Sequence, residues 1–256
     1  MPAGYWSEPA PDAGDAIERF KRFERKIPID TEAVDLAAAF LEANLEPDRA
    51  YPEGEVSTVY FDDHQLSAYH STLDGDLQRS KARLRWYGTE KPAAPVDVFI
   101  ELKEKNGFSS RKLRVRRSVA ADRLHANGLA GVADAVGMAG ALLELAPVDA
   151  SFLHPVVKVT YRRRRFTDPS SGARVTLDDR ISSRIINREL PSFYGELAVN
   201  SAVIEIKGQE MELPRTLRRL GFFGPVWASF SKYAVCLSVQ LNSPDPREWG
   251  NLVPCH

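Results

Sequence analysis

The chain has 256 residues, of which 43% are hydrophobic and 27% charged, and its formal net charge is −1. This is an ordinary globular composition, and it excludes the strongly basic proteins that coat nucleic acids. No apolar run approaches the roughly 18 residues of a membrane span. The N-terminus lacks the features of a signal peptide, and Cys236 and Cys255 are too few for a disulfide framework. We therefore expect a cytoplasmic protein with no direct membrane span.

In chain order, the sequence predicts a flexible leader over residues 1–16, a single domain over 17–241 and a loose tail over 242–256. Strands alternate polar and apolar residues, whereas helices repeat apolar residues every three or four positions. The predicted strands cover 20–29, 56–62, 81–87, 98–104, 112–116, 156–166, 173–178 and 202–207. The predicted helices cover 32–45, one or two segments within 120–145, 213–220 and 230–241. Asn106-Gly107 predicts a tight hairpin between two of the strands.

The strand over 81–87 has one cationic face and one apolar face. Period two places Lys81, Arg83 and Arg85 on one side and Leu84 and Trp86 on the other. Several other predicted strands repeat this design, which would bury charge if the strands close on one another. The alternative is a set of solvated faces on an open sheet. The repetition favours an α+β fold, an eight-stranded antiparallel β-barrel with helices packed outside and a basic lumen that forms a tunnel.

Cations outnumber carboxylates on the predicted inner face. Arginine and lysine in such an excess suit phosphate oxygens, since the guanidinium fork binds phosphate with two donors. The few glutamates suggest a divalent metal, Mn²⁺ or Mg²⁺, shared with the phosphates. The predicted inner face contains Arg22, Glu24, Lys26, Arg83, Arg85, Glu101, Lys103, Lys112, Arg114, Tyr161, Arg163, Arg174, Glu205 and Lys207.

The charged strands belong to an ordered set of short motifs. They are RFERK at 22–26, VYFD at 59–62, ARLRWYG at 82–88, FIELK at 99–103, YRR at 161–163, RVTLD at 174–178, VIEIK at 203–207 and FSK at 230–232. Each motif is weak alone, but together, in this order, they form a strong signal. The set resembles the VTC-type (vacuolar transporter chaperone) polyphosphate polymerase domain of the triphosphate tunnel metalloenzyme (CYTH-like) superfamily, and the resemblance covers about residues 20–240.

The resemblance implies a tunnel that transfers the γ-phosphate of ATP, or of another triphosphate, to inorganic polyphosphate, with no nucleic-acid partner. It assigns phosphate contacts near one tunnel mouth to Ser231 and Lys232, and Glu205, with Glu24 beside it, would hold the metal. The residues expected to act on the transferred phosphate are Arg83, Arg85, Lys103, Arg163 and Arg174. The residues expected to bind substrate are Arg22, Lys26, Lys112, Arg114, Tyr161, Lys207, Ser231 and Lys232.

One departure from the superfamily pattern bears on the reaction. Its hydrolytic branches begin with Glu-x-Glu-x-Lys, whereas this chain has Arg22 at the first of those positions and keeps only Glu24. One carboxylate fewer gives less support for activating water, which favours transfer over hydrolysis. Two alternatives stay open at this point: a triphosphatase or polyphosphatase on the same fold, and a non-catalytic module that binds polyphosphate or nucleotides.

Overall fold

The structure is a computed structural model that describes residues 23–88, 95–107, 109–124, 129–135, 137–145, 152–190, 195–210, 212–226 and 228–242. The predicted leader and nearly all of the predicted tail lie outside these residues, as does Arg22. The strands are β1 (Phe23–Ile29), β2 (Glu46–Pro47), β3 (Glu53–Asp62), β4 (Gln78–Tyr87), β5 (Val96–Asn106), β6 (Ser109–Val119), β7 (His154–Thr167), β8 (Arg174–Ile185), β9 (Leu197–Ala198) and β10 (Ala202–Gly208).

The helices are α1 (Val34–Asn44), α2 (Ser67–Leu73), α3 (Val132–Ala135), α4 (Met138–Leu145) and α5 (Lys232–Asn242). Short 3₁₀ segments lie at Thr31–Ala33, Ala121–Leu124, Leu129–Gly131 and Arg215–Phe222. The predicted helical regions are therefore present, although 213–220 forms a 3₁₀ segment and 120–145 is broken into short pieces. None of the helices within the described ranges is long and apolar enough to cross a membrane.

The strands form one antiparallel sheet in the order β1-β10-β8-β7-β3-β4-β5-β6, with β2 paired to β7 and β9 to β8. This sheet is curled into a half-barrel. The curl is evident because Lys103 Nζ on β5 lies 3.0 Å from Glu24 Oε2 on β1, although these strands stand near opposite ends of the order. Side chains thus bridge the seam between the two sheet ends. The α+β fold with a curled antiparallel sheet and a charged inner face confirms the predicted fold class.

Three apolar clusters hold the sheet in this shape. The outward faces of β1, β10 and β8 pack under α1 and the 3₁₀ segment Arg215–Phe222, through residues such as Ile27 and Leu41. The outward faces of β4 and β5 pack under α3 and α4, through Leu84 and Leu142. The third cluster contains α2 and α5. Burying these side chains stabilises the fold by roughly 1.5–3 kcal/mol for each large apolar residue.

Helix α5 differs from the expectation that all helices pack outside. Its Tyr233 ring stacks on Tyr60 at 5.0 Å, and Tyr60 shares a strand face with Thr58, which contacts the charged side chain of Arg85. The hydroxyl of Tyr233 also donates to Asp62 Oδ2 at 2.6 Å. Helix α5 therefore covers part of the inner face, and its N-terminus is placed beside the basic lumen.

Candidate functional site

Alternation along the strands sorts the side chains of the sheet onto two faces. On β4, Ala82 and Leu84 are buried under the outer helices, whereas the cations between them face the inside of the curl. We call this inner cluster the basic lumen. Its carboxylates are Glu24, Glu101, Asp178 and Glu205, and its cations are Lys26, Lys81, Arg83, Arg85, Lys103, Lys112, Arg114, Arg163, Lys207 and Lys232. Cations are in clear excess.

Glu101 is the centre of one charged group in the lumen. Its carboxylate is fully buried and accepts from Arg83 Nε at 2.6 Å, Arg114 Nε at 2.8 Å and Lys112 Nζ at 2.6 Å. Burial alone would raise the pKa of Glu101, but the charges of Arg83, Arg85, Lys112 and Arg114 outweigh it and hold the pKa well below its ordinary value. Burial lowers the pKa of Lys112 to about 8. Glu101 thus keeps its charge and orients the cations of β4 and β6.

A second charged group joins β7, β8, β10 and α5. The buried Asp178 accepts two hydrogen bonds from Arg163, at 2.6 Å from Nε and 2.7 Å from Nη2, and lies 2.5 Å from Lys232 Nζ. Glu205 lies 3.3 Å from Lys232 and 3.7 Å from Arg163. Burial would raise the pKa of Asp178 and of Glu205, yet the neighbouring cations lower both. The same two carboxylates raise the pKa of Lys232 despite its burial.

The hydrogen-bond partner of Arg85 is a neutral hydroxyl and not a carboxylate. Its Nε donates to Thr58 Oγ1 at 3.1 Å, and only 5% of the residue is exposed. Nearby, the hydroxyl of Tyr161 is buried and has no hydrogen-bond partner among the described residues. Burial raises the pKa of Tyr161, so the hydroxyl keeps its proton and can donate it. A buried cation beside an unsatisfied donor is an arrangement that an anionic ligand would complete.

Two lysines connect the segment before α5 to the lumen wall. Lys26 Nζ donates to the carbonyl of Phe230 at 2.8 Å, and Lys81 Nζ donates to Ser231 Oγ at 2.9 Å. Burial lowers the pKa of both lysines, and the charges of Lys26 and other neighbouring cations help to bring the pKa of Lys81 to about 7. The N-terminus of α5 is therefore held beside Lys26, which was expected to bind substrate, and beside Lys81, which was given no role.

The predicted metal-binding pair, Glu24 and Glu205, lies on the facing strands β1 and β10. Both carboxylates approach Lys207 Nζ, at 3.8 Å and 3.6 Å. Neighbouring lysines lower the pKa of Glu24 to about 2 against the opposing effect of burial. Within the described ranges, no group of three or more His, Cys, Asp or Glu side chains is arranged to hold a metal. Two carboxylates with phosphate oxygens nevertheless make a donor set that fits Mg²⁺ or Mn²⁺, since Mg²⁺ commonly uses one or two carboxylates and substrate phosphates.

The structure brings most of the predicted site residues together. All of them except Arg22, Tyr161 and Arg174 belong to the ion pairs and hydrogen bonds described above. The ring of Tyr161 lies under two of these cations, 5.4 Å from Arg163 and 4.8 Å from Lys232. Arg174 is exposed at the start of β8, paired in register with Lys207, on the strand face that also carries Asp178. Arg22 falls outside the described residues. The roles assigned to all these residues stay predictions.

Sequence reasoning missed the part played by Asp178 and gave Glu101 no role. Period two from Arg174 through Thr176 to Asp178 already placed Asp178 on the inner face, so the signal was present. Thr58 could not be found this way, because a threonine within a β-branched strand carries no sign of a charged partner. Lys81 was noted on the cationic face but was not assigned to the site.

The model of the family described as the VTC domain matches residues 21–240. No curated protein matches the chain.

Several solved structures are similar to the chain at low identity. They include a proposed adenylate cyclase from Bacillus halodurans (15% identity, TM-score 0.39, covering 73% of this chain and 80% of that one) and the PH1012 protein from Pyrococcus horikoshii (12%, 0.33, 89% and 97%). Another is a proposed adenylate cyclase from Vibrio parahaemolyticus (11%, 0.33, 86% and 88%).

Proposed function

The chain belongs to the VTC domain family, and from this premise we propose that it is a metal-dependent polyphosphate polymerase. In this reaction the terminal oxygen of a polyphosphate chain attacks the γ-phosphorus of ATP. The new P–O bond lengthens the chain by one phosphate, and the bond to the β-phosphate breaks to release ADP. The observation that supports this proposal best is the basic lumen, whose buried arginines can surround a row of phosphates.

The lumen residues suit phosphoryl transfer because this reaction needs charge stabilisation and in-line positioning more than a protein nucleophile. Arg83 and Arg163 are fixed through Nε by Glu101 and Asp178, and Arg85 is fixed through Nε by Thr58. Anchoring at Nε leaves the Nη1 and Nη2 edge of Arg83 and Arg85 out of these contacts. That edge can bind two phosphate oxygens at once. The three arginines are therefore oriented before substrate arrives.

A divalent cation held by Glu24 and Glu205 would neutralise charge on the phosphates when bound. Three lysines now form ion pairs with Glu205: Lys26, Lys207 and Lys232. With that carboxylate engaged elsewhere, their ammonium groups could bind phosphate oxygens instead. The protein's own part is to hold the donor and the acceptor end to end in a narrow, charged space.

The lowered pKa values of the lumen carboxylates favour phosphoryl transfer over hydrolysis. A general base that activates water works best with a pKa near the operating pH. The pKa values of all four lumen carboxylates are lowered from their ordinary range, so each is a weak base. The terminal phosphate of a polyphosphate chain is already an anion at neutral pH and needs no such base. We also propose a cytoplasmic setting, where ATP is abundant.

The proposal is tested by incubating the purified protein with ATP and Mn²⁺ and resolving the products on a gel stained for polyphosphate. We expect a ladder of chains and a matching release of ADP, both lost in Arg85→Ala. Free phosphate without a ladder would establish a triphosphatase instead. ATP left intact, with tripolyphosphate still bound in a calorimeter, would establish a non-catalytic binding module.

A further inference from the structure

The cations of β4 and β5 continue beyond the basic lumen to the ends of both strands. Arg79 lies on the same face of β4 as Lys81 and Arg83, and Lys105 lies on the same face of β5 as Lys103. Arg79 is half-buried and Lys105 is exposed. We call Arg79 and Lys105 the rim pair. No role has been given to either residue so far.

The strand register places like charges directly opposite each other at this end of the sheet. Arg79 pairs with Lys105, and the next inward pair on the same face is Lys81 with Lys103. Like charges in facing positions destabilise a sheet. The Lys81 ammonium donates a hydrogen bond to Ser231 Oγ, and Lys103 forms an ion pair with Glu24. Neither side chain of the rim pair forms an ion pair or a hydrogen bond within the described part of the chain.

The lowered pKa of Lys105 agrees with the lack of a carboxylate paired to the rim pair. Burial, and then the charges of Arg79 and Lys103, lower its pKa, and only Glu24 opposes them. A site that has gathered cations without matching carboxylates is stabilised by an anion supplied from outside. The anion must contact both rim residues, since they face each other across two hydrogen-bonded strands.

We propose that the rim pair is a binding site for the part of an inorganic polyphosphate chain that extends beyond the lumen. This inference rests on the proposed function and names the substrate class more closely. The four residue steps from Arg83 to Arg79 span about 13 Å of strand, which is longer than a triphosphate. The site therefore distinguishes long chains from tripolyphosphate and from the phosphates of ATP, which the lumen binds alone.

The double variant Arg79→Gln with Lys105→Gln tests the proposal. Its affinity for long-chain polyphosphate, measured by calorimetry at fixed low salt, should fall about tenfold and at most about 25-fold. Each of the two cations contributes up to about 1 kcal/mol, which is about fivefold in affinity. Its affinity for tripolyphosphate should stay within about twofold of the unchanged protein. Without ligand, the variant should melt at the same temperature or higher, because the facing like charges are gone.

The matched control is Arg111→Gln with Arg123→Gln, which removes two exposed cations away from the inner face; Arg111 lies 3.9 Å from Glu104 on the opposite side of the sheet. Equal losses for long and short chains, no loss for either, or an equal loss in the control would overturn the proposal. So would an equal loss of affinity for single-stranded DNA, which would make the rim a general polyanion surface. These binding measurements test only the rim pair. The proposed function is tested by polymer synthesis, and it fails if the unchanged protein makes no polymer.

Discussion

Asp178→Asn should destabilise the protein and make its stability depend on phosphate. Asp178 is fully buried and neutralises two buried cations, Arg163 and Lys232. Removing one partner of a buried ion pair costs about 3–5 kcal/mol. Glu205 remains within 3.3 Å of Lys232 and 3.7 Å of Arg163, so we expect about 3 kcal/mol. For a domain of this size that corresponds to a fall in melting temperature of about 6–12 °C.

Thermal melts with and without saturating tripolyphosphate test this expectation. Because the ligand restores negative charge beside Arg163 and Lys232, it should raise the melting temperature of Asp178→Asn more than that of the unchanged protein. Asp179→Asn is the matched control. Asp179 is also buried, but its partners Arg162 and Arg164 are partly exposed and have second carboxylates nearby, at Glu53 and Glu42. The control should lose less stability and gain no extra benefit from tripolyphosphate. Equal gains in both variants would refute the reasoning.

Arg85→Ala should leave the fold intact and lower the rate of polymer synthesis by about 10² to 10⁴, equivalent to roughly 3–5 kcal/mol; a near-native rate in the gel assay would remove Arg85 from the reaction. Between pH 7 and 10.5 the folded protein binds fewer protons at Lys81 than the unfolded chain does, because the pKa of Lys81 is lowered to about 7. Stability without ligand should therefore rise across this window while affinity for tripolyphosphate falls. Lys81→Met should make both profiles less steep in melts and calorimetry, and Lys112, with a pKa of about 8, should account for part of the slope that remains. A chelator should abolish synthesis, Mn²⁺ should restore it, and Glu205→Gln should need much more Mn²⁺; synthesis in the chelator would contradict the metal requirement.

The sheet was largely predictable because its strands carry a simple pattern. The period-two alternation at 81–87 and the Asn106-Gly107 turn led to β4, β5 and β6 in the right order, and Gly107 has the positive φ of 56° that such a turn favours. Helix α2 was not predicted, since its seven residues, Ser67–Leu73, are too few to show a helical period. The position of α5 on the inner face was also missed, because the pattern of a helix does not say which side of a sheet it covers.

The candidate site was predicted to the extent that it depends on strand faces. Arg83, Arg85 and Glu101 lie on the inner face because alternation leaves no other choice. Which cation pairs with which carboxylate depends on the curl of the sheet, and this brings Lys103 to Glu24 across 79 residues of sequence. A single sequence contains no signal for contacts of that kind. The family motifs named the residues that would bind phosphate, but not the carboxylates that hold those residues in place.

Strand β6 stands at one end of the sheet, and within the described residues its outer edge has no partner strand. Such an edge can pair with another chain and begin aggregation. In this protein the edge carries five cations among the eleven residues of Ser109–Val119, so two copies that approach edge to edge repel each other. We therefore expect the charges of Lys112 and Arg114 to oppose aggregation as well as to face the lumen. Variants that neutralise this strand should be examined by light scattering before a loss of activity is attributed to substrate binding.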